Sequence, residues 1–144
     1  ASTIDSQLLR LQELPLDRAE RALDRALAVD NPRLAVIAWE QALEHYRDAL
    51  TAGWGTDASF DGDTDALRMQ IEWIVATLVD LRRRLAEHHE SAGDKFPAGT
   101  GRARTHYEVA CDHLAAAEDL ASTYSAGEAD AIRDYQEWIA GKLT

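Results

Sequence analysis

Leu67, Ile71, Ile74, Leu78, Leu81 and Leu85 recur at intervals of four, three, four, three and four residues. On an α-helix that alternation puts six large aliphatic side chains on one stripe. On a β-strand it scatters them over both faces, so only a helix can bury them together. The spacing predicts a helix over about 64–90, roughly 40 Å long at the usual rise per residue. A single apolar stripe of that length is stable only when other helices cover it.

The rest of the chain supplies such helices. Only 3 prolines and 8 glycines interrupt 144 residues, and alanine, which loses no side-chain entropy in a helix, is abundant. Two short helices are expected first, over about 3–14 and 16–29, separated at Pro15. The second carries Leu16, Ala19, Leu23, Ala26 and Leu27 on its apolar face. Asn31-Pro32 then reads as an N-cap followed by proline at the first helical position, opening a helix over about 32–52. Its large residues Val36, Trp39, Leu43, Tyr46 and Leu50 lie beside a stripe of Ala35, Ala38, Ala42, His45 and Ala49, a groove that lets a neighbouring helix come close. Helices over about 102–124 (Tyr107, Ala110, Leu114, Ala117, Ala121, Tyr124) and 128–143 (Ile132, Tyr135, Ile139, Leu143) follow. No alternating strand pattern is present. The expected fold is a single all-α domain over 1–144: an antiparallel bundle of four longer helices (about 32–52, 64–90, 102–124 and 128–143) with the two short N-terminal helices alongside. Two stretches, Ala19 to Pro32 and Tyr124 to Tyr135, resemble parts of a tetratricopeptide unit. They do not recur at its period of about 34 residues and read as shared amphipathic-helix pattern.

The formal net charge of −11 argues against a broadly basic nucleic-acid surface and against docking on anionic membranes. No apolar run is long enough for a membrane span, and the first residues carry no basic and apolar leader pattern. The expectation is a cytoplasmic protein, and the dominance of arginine over lysine suggests a bacterial source. The lone Cys111 forms no disulfide within the chain and reads as a small buried hydrophobe.

The charge is unevenly spread. Residues 53–65 hold four aspartates and no base, whereas residues 82–106 hold six bases and three histidines. Asp61, Asp63, Asp65 and Glu72 have the oxygen spacing of a calcium loop, but Ala66 stands where its tight turn needs glycine. Asp63, Thr64 and Asp65 read instead as capping groups at the start of that helix. No histidine has an acid three residues before it, so the metal motif of di-iron bundles is absent, and no metal or cofactor is expected. Arg83, Arg84, His88, His89, Arg102, Arg104 and His106 are candidates for an anion or partner site if the helices over 64–90 and 102–124 pair as a hairpin. Arg83 to His88 and Arg84 to His89 are similar in spacing to the Arg-x4-His motif of HEPN-type ribonucleases, which are also small and helical. The resemblance implies proton transfer by the histidine and phosphate stabilisation by the arginine. The polar residue usual after that arginine is Arg84 or Leu85 here. Trp54, Phe60, Asp61 and Asp63 form a second candidate, an acidic loop with aromatic anchors for a partner.

No nucleophile, phosphate loop or carboxylate pair survives inspection. The sequence therefore points to a non-enzymatic protein–protein interaction module, an adaptor, regulator or assembly subunit, with self-association as one form. The alternative is a HEPN-like RNA-cleaving or anion-binding protein using the Arg/His end.

Overall fold

A computed structural model describes residues 2–51, 61–124 and 128–144, with side chains from residue 15 onward and, in the third helix, from residue 65. Five helices follow in order: α1 (Ser2–Ala28), α2 (Pro32–Ala49), α3 (Asp61–Asp94), α4 (Gly101–Tyr124) and α5 (Ala129–Gly141). Among the described residues there are no strands, and the helices pack as bundles.

The expected break at Pro15 does not occur. α1 runs through it for 27 residues. Proline removes one backbone donor and crowds the preceding turn, yet good helix formers on both sides, including Leu14, Leu16, Arg18 and Ala19, carry the helix past that loss. The two short helices are therefore one long one. α3 is also longer than its stripe implied, at 34 residues. It begins at Asp61, where acids favour the positive end of a helix, so Asp61 to Glu72 lie along a helix and not in a calcium-type loop. It ends at Asp94 and takes in Gly93, which the sequence assigned to the following loop. The reason for glycine there is Tyr107: a Cβ on Gly93 would sit 2.7 Å from the ring's Cε1.

The fold divides into two compact units, residues 1–74 and 75–144, with α3 contributing to both. In the first unit α1 packs on α2 through small residues. Ala19, Ala22 and Ala26 of α1 and Ala35, Ala42 and Ala49 of α2 are all buried. Leu27, expected on the buried face, is 58% exposed; the alanine seam turns it outward. Val36, Trp39, Leu43 and Tyr46 complete the core with Leu67, Ile71 and Ile74 of α3. The Trp39 and Trp73 rings meet edge to face at 5.3 Å. Asn31 caps α2, its side-chain oxygen accepting from the Arg33 and Leu34 amides at 3.0 and 3.4 Å. Burial, with Glu20 and Asp24 nearby, pushes the Tyr46 phenol up.

In the second unit Leu78 and Val79 of α3, Leu114 of α4 and Ile132 and Ile139 of α5 form the centre. Ala103, Ala110, Ala117 and Ala121 supply the small face of α4. Thr100 caps that helix, accepting from the Ala103 amide at 3.3 Å. Gly99 precedes it at φ 82°, a backbone conformation natural to glycine. Cys111 is half-buried with its sulfur 3.9 Å from the Gln136 carbonyl. Burial pushes its thiol up, and Asp112 and Glu108 add to this.

Candidate functional site

The second unit brings part of the predicted Arg/His cluster together. The heptad-like stripe of α3 turns Leu85 inward and places His89 one turn further on. His89 is 5% exposed, and its Nδ1 lies 3.1 Å from Nδ1 of His106 on α4. The His89 ring stacks on His113 at 5.8 Å and meets His88 edge to face at 5.6 Å. Arg82 Nη1 donates to His113 Nδ1 at 3.0 Å. On the far side of His106 its ring stacks on Phe96 at 5.8 Å, and the Arg102 guanidinium sits 5.8 Å from the Phe96 centroid. The result is a column of imidazoles, one phenyl ring and a guanidinium at each end.

The other predicted bases take different positions. Arg84 pairs with Asp80 at 3.0 Å on the exposed side of α3. Arg83 and His88 are also exposed. Arg104 donates to the Leu143 carbonyl at 3.1 Å, tying the start of α4 to the end of the chain. Of the two spacings that resemble the HEPN motif, Arg84 to His89 joins a surface ion pair to a buried imidazole, and Arg83 to His88 lies on the surface. In the acidic segment, Trp54 and Phe60 lie outside the described residues. Asp61 and Asp63 fall in the first turn of α3, with side chains outside the description.

Arg102 and His106 line an open depression of about 710 Å³ together with Phe96, Thr100, Gly101 and Thr105. Its hydroxyls are engaged locally: Thr100 donates to the Pro97 carbonyl at 2.8 Å and Thr105 to the Gly101 carbonyl at 2.9 Å. Arg102 and His106 are the basic side chains of its lining.

A second polar cluster escaped the sequence reading. Glu90 accepts from the Tyr135 hydroxyl at 2.6 Å and from Trp138 Nε1 at 3.1 Å, and pairs with Lys142 at 2.8 Å. Asp94, one turn on, accepts from the Tyr107 hydroxyl at 2.6 Å and from Lys142 at 3.1 Å. Lys142 also lies 5.5 Å from the Tyr107 ring centroid and 5.7 Å from that of Trp138. Burial alone would raise the Glu90 carboxyl, but hydrogen bonds from Lys142, Tyr135 and Trp138 hold it below the usual range. Hydrogen bonds from Tyr107 and Lys142 lower Asp94. Burial and the bond to Glu90 push the Tyr135 phenol up. The available signal was the i, i+4 pair Glu90 and Asp94, but a partner 48 residues away leaves no local trace. This cluster fastens α3, α4 and α5 and consumes its own polar groups, so it is structural chemistry.

Among the described residues no group of three or more His, Cys, Asp or Glu side chains is placed to hold a metal ion, and no helix is long and apolar enough to cross a membrane. Comparison of the chain with protein-family models, with curated proteins and with solved structures finds no match to any of them.

Proposed function

We propose that the protein is a non-enzymatic helical interaction module, an adaptor, regulator or assembly subunit, which binds a protein partner or a second copy of itself. The observation that carries this reading is the apolar surface of the first unit. Leu27, Leu34, Ile37 and Met69 are each more than half exposed, and Trp73 is 46% exposed. Leu34 and Ile37 are neighbours on α2, and Met69 and Trp73 are neighbours on α3, because residues three and four apart share a helix face. Exposed large hydrophobics in clusters mark contact surfaces, and tryptophan is a frequent anchor of binding energy.

Within the second unit the arrangement we favour for α3, α4 and α5 is antiparallel, in a cytoplasmic bacterial protein. The falling register of the pairs Arg82–His113 and His89–His106 supports that direction for α3 and α4.

Native mass spectrometry of the protein purified from its host tests the function. A complex is expected that disperses when Met69 and Trp73 are both changed to alanine and survives alanine at Arg102 and His106. A monomer without partners overturns the reading.

A second reading rests on Arg102 and His106 facing one depression: an anion-binding end able to take a phosphate, RNA included. It requires saturable binding of inorganic phosphate that Arg102→Ala abolishes, and, for an RNase, cleavage of RNA that His88→Ala abolishes.

A further inference from the structure

Lys142 sits where two carboxylates and two aromatic rings meet. Its Nζ lies 2.8 Å from Glu90 Oε2 and 3.1 Å from Asp94 Oδ1. It is also 5.5 and 5.7 Å from the ring centroids of Tyr107 and Trp138. Charge-assisted hydrogen bonds and ring faces are the two means by which proteins recognise an ammonium group. The carboxylates have other holds besides Lys142. Tyr135 and Trp138 donate to Glu90 at 2.6 and 3.1 Å, and Tyr107 donates to Asp94 at 2.6 Å. The helices that carry these donors are anchored independently, α4 by Ala103 and Ala110 and α5 by Ile132 and Ile139, all buried. Lys142 itself follows Gly141, the last residue of α5. With Lys142 in place the polar groups are spent; with its side chain withdrawn, the two carboxylates and both rings are still held.

We propose that this cage is a binding site for a primary alkylammonium and that Lys142 is its tethered occupant, exchangeable with an outside amine. The inference concerns the second unit and does not rest on the interaction reading above. Three features set the ligand class. Two carboxylates face one ammonium, so Lys142 alone does not neutralise them. The contacts to Glu90 and Asp94 each need an N–H, of which a primary ammonium has three and a quaternary one has none. A calcium ion needs six to eight oxygens, which two carboxylates and two ring faces do not supply. Access is open, because the Asp94 side chain is 50% exposed and Trp138 is 65% exposed. Ile139 is fully buried whereas the Lys142 side chain is 25% exposed, so the lysine can turn to water while α5 stays on the core.

The Trp138 indole N–H, which donates to Glu90, reports on the cage in ¹H–¹⁵N spectra of the full chain. In Lys142→Ala, n-butylammonium should move that signal saturably, and tetramethylammonium at equal ionic strength should not. Adding Glu90→Gln to Lys142→Ala should remove the response. The wild-type chain should need more n-butylammonium, because its own lysine competes at an effective concentration on the order of millimolar. Lysine blocked at its α-amino and carboxyl groups separates the sources: a tighter response than n-butylammonium identifies a lysine side chain as the ligand, and a weaker one a free amine. No saturable shift with n-butylammonium in Lys142→Ala, or an equal one with tetramethylammonium, overturns the site. An equal requirement in the wild-type chain overturns Lys142 as its occupant. Should Lys142→Ala be unfolded alone, recovery of a folded spectrum with n-butylammonium and not with tetramethylammonium supports the site, and an unfolded chain with both overturns it.

Discussion

In the first unit six buried alanines, Ala19, Ala22, Ala26, Ala35, Ala42 and Ala49, let α1 and α2 approach closely, and large side chains such as Leu34, Ile37, Met69 and Trp73 are left outside. In the second unit Glu90, Asp94 and Lys142 fasten three helices through side-chain hydrogen bonds, and one large hydrophobic, Trp138, is exposed. Even that ring donates to Glu90 at 3.1 Å. A small-residue seam is satisfied by shape alone, so the outward faces of its helices are free to carry apolar groups for another purpose. A polar network uses the same outward positions for its own members. On the proposed reading, contact with a partner falls to the first unit and internal fastening to the second.

Core packing should give the largest effects and break the comparison if the seam is loose. Leu114→Ala empties a fully buried site in the second unit and should cost about 2–5 kcal/mol. In the first unit Ala42→Leu forces extra atoms into the α1–α2 seam and should cost about 1–3 kcal/mol. Denaturant unfolding measures both; a neutral Ala42→Leu means the helices are not closely packed there.

The network of the second unit comes next. Glu90→Ala leaves Tyr135 and Trp138 without their acceptor and Lys142 with Asp94 alone, and should cost about 1–3 kcal/mol. The carboxyls of Glu90 and Asp94 are held below their ordinary range. Their contribution is therefore complete above about pH 4.3 and is lost as pH falls through the lower folded values. Thermal melts between pH 5 and 3 should show that loss, and Glu90→Gln should flatten it. A wild-type melt indifferent to acid in this window would mean that the network does not hold the unit.

The smallest effect belongs to Arg84→Ala. Its pair with Asp80 is exposed on both sides, and such i, i+4 pairs contribute about 0.3–0.5 kcal/mol. A larger loss would show that this arginine does more than solvate α3.

The stripes of α2 through α5 were readable because helical period is a local property. Leu67, Ile71, Ile74, Leu78 and Leu85 are buried as their spacing requires, and Asn31-Pro32 opens α2 as its chemistry dictates. Pro15 misled because a single breaker was weighed more heavily than the helix formers around it. Leu27 misled because a leucine next to an alanine seam reads as core by hydropathy, while the closeness of two helices decides which face turns in. In the predicted basic cluster the helix spacing located His89 and His106, but the sequence could not distinguish imidazoles that meet from arginines such as Arg84 that turn to a local acid. Lys142 was invisible as a site residue, since its partners are far along the chain.

The direct test of a contact surface on the first unit is mass in solution. Light scattering and native mass spectrometry of the wild-type protein and of the Met69→Ala/Trp73→Ala variant should give a complex for the first and a folded monomer for the second. Surface truncations of this kind shift stability by about 0.5 kcal/mol or less, so unfolding midpoints should agree. A wild-type chain that is monomeric and unaccompanied, or a complex unchanged in the variant, would contradict the account.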